Sequence, residues 1–408
     1  MAARELILCL SHLRWNCVYQ RPRHLLSQCA LDRPVVYFEE PVFDVSAPKL
    51  ELRDTPEGVI VAVPRLSPNT SSHEAEAAQR RMIDRLLRNF DEPQPVLWYY
   101  TPMALGFTDH LKPSATVYDC VDEFSLSRDA PPQLHDRERM LFRRADLVFT
   151  AGYSLYQHKL RTARQHNIFA FPLSVDLEHF HRAREETIEP ADQAEIEYPR
   201  VGFCGVIDER TDLKLLVDLA DLRPDLQLVM IGPIVNIDAA SVPRRPNLHW
   251  LGEKTYDELP AYIAGWDVAM LPFARNDATK FVSPCTTPEF LAAGKPVVST
   301  PIADVVQLYG RDGLVWIAEN AAEFEDAIDE ALSSDREARC AHADAFLFDH
   351  SWRDTWAEMW AHVERTIAMR ATLRTPQDHD QENVHGRSTD RVVTPNMGGR
   401  RVHGQPSR

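Results

Sequence analysis

Short apolar runs recur along the chain, and the stretches between them carry apolar residues at helical spacing. In the first half the runs are ELILCL (5–10), PVVYFE (34–39), VIVAVP (59–64), PVLWYY (95–100), ATVYDC (115–120), ADLVFTA (145–151) and NIFAFP (167–172). Nearly continuous apolar strands that alternate with helices indicate a parallel α/β sheet covered on both faces. We therefore predict a doubly wound first domain over residues 1–182.

This alternation stops after residue 182 and then resumes. Residues 183–199 are acidic, contain proline and show no periodicity, which predicts a linker. Apolar runs return in RVGFCGVI (200–207), LQLVMIGP (226–233), NLHWLG (247–252), DVAMLPF (267–273), PVVST (296–300) and GLVWIA (313–318). With helical segments between them, they predict a second doubly wound domain over residues 200–348.

Two segments follow the second domain. Residues 349–373 show a helical pattern, for which Ser351 is the expected N-cap. Residues 374–408 are polar and rich in Gly, Pro, Arg and His, so they cannot bury enough surface to offset their chain entropy. We predict that this tail is disordered, and we prefer that interpretation to metal binding by its histidines.

Composition narrows the class of protein. A chain of 408 residues with 44% apolar and 26% charged residues fits a soluble protein of two domains. The net charge of −16 argues against a nucleic-acid partner, because phosphate neutralisation requires a basic surface. The seven cysteines are scattered without a CxxC pair, which favours a reducing cytoplasm over a disulfide framework or a zinc site. The first apolar run reads as a strand and not as a signal peptide, and no run approaches the ~20 apolar residues of a membrane span.

Two facing doubly wound domains form a cleft at the carboxyl ends of their strands, where such sheets bind ligands. In the loop GFCGVIDERTDLKLL (202–216), Gly205 allows close backbone approach, and the helix that follows offers free N–H groups to an anion. Arg210 in this loop fits a diphosphate through charge-assisted hydrogen bonds. The alternative is that Arg210 pairs with neighbouring Asp208 or Glu209, and the spacing does not decide between the two.

A second candidate lies in SPCTTPEFLAAGKPVVSTP (283–301). Glu289 stands at the predicted start of a short helix, and its two oxygens could accept hydrogen bonds from two vicinal hydroxyl groups while the helix N-terminus holds it ionised. Lys280 precedes the Ser283-Pro284 turn and is the candidate cation there. Nearby strand ends carry Gly232 and, around Lys254, backbone groups that could read a flat base.

The first domain supplies candidates for the opposite side of the cleft. Arg14, Arg21 and His24 follow its first strand, where they could meet phosphate or an acceptor, although His24 could equally be a core helix residue. Asp119 and Asp122 end another strand and could bind acceptor hydroxyls or act as a base, whereas Asp119 could instead cap a turn. Their spacing is not the D-x-D of a divalent-ion site.

A basic helix is the last candidate surface. RRMIDRLLRNF (80–90) is amphipathic with arginines on one face, which would suit a lipid-linked acceptor at a membrane. We prefer the simpler interpretation, in which these arginines face water.

Several of these segments resemble one family. PEFLAAGKPVVSTP is similar to the E-x-x-A-x-G-x-P-V segment of GT-B fold glycosyltransferases, the retaining, metal-independent family 4 and its family 1-like relatives. FPLSVDLEHF (171–180) resembles the segment before their interdomain linker, and HSWRDTWAEMW resembles their final crossover helix. YQRPRHLLSQCA, VYFEEPVF, VYDCVDEFS, ADLVFTAGYSLYQHK and AGWDVAMLPFARNDATKFVSP narrow the similarity to a bacterial branch that includes teichuronic acid glycosyltransferases.

The resemblance implies a GT-B fold, with two Rossmann-like domains and a helix at 349–373 that crosses back onto the first. It implies that Glu289 binds the ribose of a nucleotide sugar. The implied donor site contains Gly205, Gly232, Lys254, Ser283, Pro284, Thr286, Thr287 and Glu289.

The sequence also departs from the family pattern. Phe281 stands where the family usually has a first acid, often in contact with the donor sugar, and Thr286 stands where a lysine is common. The family's glycine-rich loop after the first strand is missing. The family's mode of sugar recognition therefore does not carry over to this sequence. We expect Lys280 to supply the positive charge of the missing lysine.

We therefore expect a cytoplasmic glycosyltransferase (EC 2.4, hexosyltransferase-type) that moves a sugar from a UDP- or GDP-linked donor to a glycan or lipid-linked acceptor in bacterial cell-surface polysaccharide synthesis. Arg210 and Lys280 would stabilise the departing diphosphate, with Asp119 or Asp122 near the acceptor. We expect no metal, no cofactor besides the donor substrate and no nucleic acid, and we leave peripheral contact with the inner face of the membrane open. The alternatives are a sugar-nucleotide epimerase and a GT-B subunit that binds without turnover.

Overall fold

The structure is a computed structural model that describes residues 5–374, apart from 18, 91–93, 127–130, 164 and 187. The tail predicted to be disordered lies beyond residue 374, outside the described residues.

A mostly parallel sheet forms the first domain. Its strands are β1 (Ile7–Leu10), β2 (Val35–Phe38), β3 (Val42–Phe43), β4 (Lys49–Asp54), β5 (Val59–Leu66), β6 (Val96–Tyr99), β7 (Ala115–Cys120), β8 (Leu147–Thr150) and β9 (Ile168–Ala170). They lie in the order β3-β5-β2-β1-β6-β7-β8-β9, and β4 pairs with β5 in the antiparallel sense. β1, β2, β6, β7 and β8 are buried along their whole length, as continuous apolar runs predict.

The second domain is a parallel sheet with the doubly wound order. Its strands are β10 (Arg200–Cys204), β11 (Gln227–Ile231), β12 (Leu248–Gly252), β13 (Val268–Leu271), β14 (Val297–Ser299) and β15 (Val315–Ile317). They lie in the order β12-β11-β10-β13-β14-β15, which is the 3-2-1-4-5-6 order of the Rossmann fold. The crevice at the carboxyl ends of β10 and β13 is the point where the strand order reverses, and it is where such a sheet binds ligands.

Helices cover both faces of the sheets. They are α1 (Arg21–Ala30), α2 (Ser72–Asn89), α3 (Leu105–Thr108), α4 (Leu134–Arg144), α5 (Tyr153–Thr162), α6 (Leu177–His181), α7 (Ala191–Ala194), α8 (Leu213–Leu222), α9 (Leu259–Ala264), α10 (Thr286–Ala292), α11 (Ala303–Val305), α12 (Ala321–Ser333), α13 (Arg336–Leu347) and α14 (Trp352–Arg374). Short 3-10 or π turns flank several of them, and α7 lies within the segment predicted to be a linker.

The last helix belongs to the core of the first domain, although it follows the second domain in the chain. The Ser351 hydroxyl accepts a hydrogen bond from Asp354 N at 3.0 Å, which confirms the predicted N-cap. Trp352, Trp356 and Trp360 are each at most 6% exposed and join the apolar cluster under β1, β6 and β7. Burial of aromatic side chains of this size favours docking by several kcal/mol, on the order of 2 kcal/mol per ring. α14 therefore fastens the second domain to the first.

Candidate functional site

Glu289 lies in the first turn of α10, and its charge acts on Cys204, the last residue of β10. It is only 6% exposed, and no described residue donates a hydrogen bond to its carboxylate, whose pKa is perturbed only by burial and by Asp176. Burial, with a smaller contribution from the charge of Asp176, raises the pKa of Glu289 to about 8. A buried acceptor without a donor is costly unless a ligand supplies one.

The surroundings of Glu289 contain further unsatisfied polar atoms. The Thr287 hydroxyl is fully buried and makes no hydrogen bond, and the same holds for the Tyr256 hydroxyl oxygen. The charge of Glu289 also acts on Tyr256, Cys204 and Cys285, which places all of them near the carboxylate. Together they form a cluster of polar side chains around Glu289, in which the Thr287 and Tyr256 hydroxyls lack partners within the described part of the chain.

Gly205 and Gly232 directly follow the adjacent strands β10 and β11. Gly232 has a φ of +142°, and a Cβ there would lie 1.9 Å from the carbonyl oxygen of Gly205. The Gly205 amide donates to the Ile231 carbonyl at 2.9 Å, so the chain segments leaving β10 and β11 are held in contact. Within the structure, these glycines allow two loops to approach each other at the sheet edge.

Arg210 lies in the loop after β10 and pairs with Asp208, which is one of the two possibilities that the sequence spacing did not decide. Its Nε donates to both carboxylate oxygens of Asp208 at 3.0 Å, and its Nη2 donates to Oδ2 at 2.6 Å. Burial alone would lower the pKa of Arg210, but Asp208, followed by Asp122 and Glu209, raises it. Nη1 donates to no group among the described residues. Arg210 is therefore fixed by Asp208 and still offers a charged donor to an anion.

The helix N-terminus after this loop does not fit the predicted anion site. Asp212 is the N-cap of α8, and its carboxylate accepts from Leu215 N at 2.9 Å. A negative side chain thus already occupies the positive end of the helix dipole. We therefore assign no phosphate contact to α8, and Arg210 remains the cation of this loop.

Other predicted donor-site residues are divided between the cleft and the linker. Lys254 donates to Asp192 in α7 at 2.6 Å, so its ammonium ties the second domain to the linker helix instead of facing a ligand. Lys280 is exposed and forms no ion pair within the described chain, and its Nζ lies 5.5 Å from the centre of the Phe281 ring. Thr286 opens α10, and Pro284 accepts from Thr287 N at 3.3 Å.

The two domains touch beside this turn. Asp304, at the start of α11, accepts a hydrogen bond from Ser154 N at 2.8 Å, at the N-terminus of α5 in the first domain. Gly152 makes the contact possible, because a Cβ there would lie 1.9 Å from Asp304 Oδ2 and 2.9 Å from Ser283 Cβ. Close by, the Phe281 ring lies 4.5 Å from His158 of the first domain. Phe281 thus fills an interdomain contact at the position where the family pattern has an acid.

Two candidates on the first domain lie in its core and not in the cleft. Asp119 is 0% exposed and accepts from Arg21 Nε at 3.1 Å and 3.2 Å, while Arg21 Nη1 donates to the Phe171 carbonyl at 2.9 Å. Arg21 also contacts Met359 Sδ in α14 at 3.7 Å. These residues join β7, α1 and α14, so the predicted contacts of Asp119 and Arg21 with substrate are corrected to a structural ion pair.

Asp122 is different, because it faces the second domain. Burial raises its pKa, and the charge of Arg210 across the cleft counteracts this rise. Its Oδ1 accepts from Glu123 N at 2.8 Å. Glu123 in turn pairs with buried Lys159 at 2.9 Å and with His158 at 3.0 Å. A charged network therefore holds the segment that carries Asp122.

His24 and Arg14 also have structural partners. His24 is 6% exposed and stacks on Trp352 at 4.6 Å, and burial lowers its pKa to about 3. This agrees with the alternative of a core helix residue. Arg14 donates to Glu39 at 2.9 Å and to the Glu40 carbonyl at 2.5 Å, so it fixes the segment after β2.

Sequence reasoning missed two aromatic residues at the cleft. Tyr256 stacks on His179 at 4.0 Å and on Tyr19 of the first domain at 4.2 Å, which bridges the domains. His12, directly after β1, has a buried Nδ1 without a hydrogen-bond partner, and burial lowers its pKa to about 4. Its ring lies 5.0 Å from Phe124, two residues after Asp122. The Ser-His pair after an apolar strand was the available signal for His12.

Among the described residues, no group of three or more His, Cys, Asp or Glu side chains could hold a metal ion. No helix in that part of the chain is both long and apolar enough to cross a membrane.

Comparison with solved structures identifies the architecture. Sucrose-phosphate synthase (tll1590) from Thermosynechococcus elongatus aligns with a TM-score of 0.69 and 13% identity over 90% of this chain and 100% of that one. An Escherichia coli structure titled "Trehalose-6-phosphate from E. coli bound with UDP-2-fluoro glucose." aligns with a TM-score of 0.66 and 12% identity, over 88% of this chain and 99% of that one. The two facing Rossmann-like domains closed by a crossover helix are thus the GT-B fold, and the predicted fold class is confirmed.

The sequence comparisons identify the second domain. Residues 198–334 match the family model described as "Glycosyl transferases group 1". "Putative teichuronic acid biosynthesis glycosyltransferase TuaH" of Bacillus subtilis (strain 168) is 26% identical over 218 residues, which are 50% of this chain and 55% of that protein. The match therefore spans about half the length of this curated relative. The protein carries a glycosyl transferases group 1 domain in a GT-B fold, and the predicted resemblance is confirmed.

Proposed function

We propose that this protein is a glycosyltransferase that moves a sugar from a nucleoside diphosphate sugar to a glycan or lipid-linked acceptor. The observation that carries the proposal is Glu289, a buried carboxylate without a donor at the switch point of the second sheet. Two vicinal ribose hydroxyls would supply the missing hydrogen bonds. The family match of residues 198–334 supports the assignment, because Glu289 lies within the matched region.

The diphosphate would lie near Arg210. Asp208 holds this guanidinium in place while Nη1 remains available, and such preorganised charge stabilises a leaving group as negative charge develops on it. Since Arg210 supplies positive charge at that position, we propose that transfer requires no metal. Retention of configuration rests on the resemblance to family 4 and is part of the same proposal.

The acceptor would approach from the first domain. Asp122 is close enough to Arg210 for that charge to counteract the rise in its pKa, and His12 contacts Phe124, two residues after Asp122, at 5.0 Å. With its pKa lowered to about 4, His12 is neutral at pH 7 and can accept a hydrogen bond from a hydroxyl group. We propose that these two residues orient the acceptor hydroxyl.

The biological setting is proposed from the relative. The name of the Bacillus subtilis protein places that protein in teichuronic acid biosynthesis, a cell-surface polysaccharide process. We propose a comparable process here, carried out in the cytoplasm. On α2, the side chains of Arg81, Arg85 and Arg88 point outward without ion pairs to the described residues, which would allow peripheral contact with an anionic membrane.

The test is calorimetric titration of UDP, GDP and inorganic phosphate into the wild type, Glu289→Gln and Glu289→Ala. We expect one nucleotide to bind at micromolar strength, and each variant to lose roughly 1–3 kcal/mol of binding free energy, because hydrogen bonds to the Glu289 carboxyl are lost and buried polar groups are left without partners. Glu253→Gln, an exposed acid at the end of β12, is the matched control and should bind like the wild type.

The same titrations separate the alternatives. Nucleotide binding that is equal in wild type and Glu289→Ala would remove the ribose assignment. A folded wild type that binds neither UDP nor GDP would contradict the donor site and favour a GT-B subunit that binds without turnover. Hydrolysis of a UDP- or GDP-sugar by the wild type, lost in Glu289→Ala, would establish catalysis.

A further inference from the structure

A cavity of about 190 Å³ lies in the first domain at the carboxyl ends of β1, β2 and β6. α2 and the segment after β6 close its sides. A single buried water needs only about 10–15 Å³ of such space, so the cavity is large enough for one sugar ring. Resting on the proposed function, we propose that this cavity binds the terminal sugar of the acceptor, and that this sugar is uncharged or carries an amine and is not an anion.

The cavity lies next to the reaction site. Ser11 belongs to its lining, and the next residue is His12, whose ring contacts Phe124 at 5.0 Å. Asp122, two residues before Phe124, feels the charge of Arg210 in the second domain. A sugar in the cavity would therefore present a hydroxyl group toward His12 and the diphosphate side of the cleft.

The floor of the cavity is apolar and aromatic. Phe38 is 1% exposed and Phe107 is 8% exposed, and Phe43 contributes a more open edge at 45%. A pyranose has an apolar face of C–H groups and a periphery of hydroxyls, so it matches a wall of this kind combined with polar groups at its rim.

The polar groups of the lining are mostly hydrogen-bond acceptors. Glu40 forms no ion pair and accepts no hydrogen bond from the described residues. The Gln79 side chain donates to the Ala75 carbonyl at 3.2 Å, which leaves its amide oxygen without a donor from that part of the chain. The Thr101 hydroxyl accepts from Met103 N at 3.3 Å and retains its own proton. Such a lining calls for a ligand that donates hydrogen bonds.

The charges of the lining exclude anions. Three carboxylates, Glu39, Glu40 and Glu76, face one guanidinium, Arg137. Arg137 is already committed, since it pairs with Glu76 at 2.5 Å and donates to the Met103 carbonyl at 2.7 Å. Glu39 is likewise occupied by Arg14 at 2.9 Å. A carboxylate or phosphate on the incoming sugar would meet Glu40, which forms no ion pair within the described chain, while the nearby Arg14 is already engaged by Glu39 and by the Glu40 carbonyl.

The test compares three small probes on the full chain by saturation-transfer and chemical-shift NMR: methyl glucoside, glucosamine and methyl glucuronide. At pH 7 we expect the glucoside and the amine to bind in the millimolar range, and the glucuronide to bind about tenfold more weakly because of the repulsion at Glu40. Glu40→Gln should remove most of this difference. Ala75→Leu, which fills the cavity from α2, should abolish binding of all three.

Two controls keep the outcome interpretable. Glu57→Gln removes an acid from a separate cavity beside Trp15 and should change nothing. Retained UDP or GDP binding shows that Ala75→Leu is folded, and Glu40→Gln, at an exposed rim position, supplies a second variant if it is not.

The inference is overturned if the glucuronide binds as well as the glucoside, if Ala75→Leu leaves sugar binding intact, or if no probe binds a protein that still binds nucleotide. Sugar binding with the expected preference in a protein that binds no nucleotide would support the cavity assignment while contradicting the donor site.

Discussion

The buried carboxyl of Glu289 predicts that the stability of the protein depends on pH. The group is 6% exposed, and burial raises its pKa from an ordinary value of 4.5 to about 8. Its folded-state pKa therefore lies above its unfolded value. Between these two values the folded protein retains a proton that the unfolded chain has released, so the free energy of unfolding falls as pH rises through this window.

The magnitude follows from the width of the window. Each pH unit within it changes the free energy of unfolding by about 1.4 kcal/mol. From pH 5 to pH 8 the wild type should lose roughly 3 kcal/mol through this group, whereas Glu289→Gln should lose none of it. The cost of burying the amide does not depend on pH, so it cancels when the two pH values are compared.

The assay is differential scanning calorimetry of wild type, Glu289→Gln and Glu253→Gln at pH 5 and pH 8. At each pH we subtract the thermal unfolding midpoint of the wild type from that of Glu289→Gln. This difference should be roughly 6–12 °C larger at pH 8 than at pH 5, because a domain of this size changes its midpoint by about 2–4 °C per kcal/mol. Glu253→Gln should follow the wild type. A difference for Glu289→Gln that stays the same at both pH values would refute the description of Glu289 as a desolvated acid.

Three further outcomes follow from contacts in the structure. Asp119→Asn leaves the buried charge of Arg21 without its ionised partner, so denaturant unfolding should show a loss of about 3–5 kcal/mol, while the folded variant binds nucleotide normally. Gly152→Ala places a Cβ 1.9 Å from Asp304 Oδ2, so X-ray scattering should show a larger radius of gyration. Gly152→Ala/Asp304→Gly should reverse this only in part, because the added Cβ still lies 2.9 Å from Ser283 Cβ. Arg210→Lys loses the planar fork, so calorimetry should show about tenfold weaker UDP binding with uridine binding unchanged.

Each of these has a result that contradicts it. Loss of nucleotide affinity in folded Asp119→Asn would contradict the assignment of Asp119 to a structural ion pair and would indicate that it contributes to the ligand site. Scattering from Gly152→Ala that matches the wild type would show that the domains do not depend on this contact. Equal losses for UDP and uridine in Arg210→Lys would place Arg210 away from the diphosphate.

The sequence predicted the features that depend on neighbours in the chain. Apolar runs predicted both sheets, because a buried parallel strand has no polar face. They also predicted the position of Glu289, in the first turn of a helix that precedes an apolar strand, whereas its role in binding stays a prediction. Asp212 was readable as well, since an acid before an apolar helix is a common N-cap, but the predicted phosphate site at α8 took precedence over that signal.

The features that the sequence did not show depend on distant residues. Asp119 and Arg21 are 98 positions apart and looked alike as candidates for substrate contact, although they neutralise each other. Gly152 and Asp304 come from different domains, so no local pattern relates them. His12 was passed over because its role follows from burial, which depends on how the loop after β1 packs against Phe124.

The position of α14 bears on the order in which the domains are completed during synthesis. Trp352, Trp356 and Trp360 fill the first domain, and Arg370 pairs with Asp146 at 2.5 Å. About 180 residues separate the end of β9, the last strand of that domain, from α14. At about 5–20 residues per second, a ribosome needs roughly 10–40 s to make them. For that time the nascent first domain exposes the apolar groove that α14 later covers. The domain that is translated first is therefore the last to complete its fold. Chains that stop before residue 352 should be captured by chaperones.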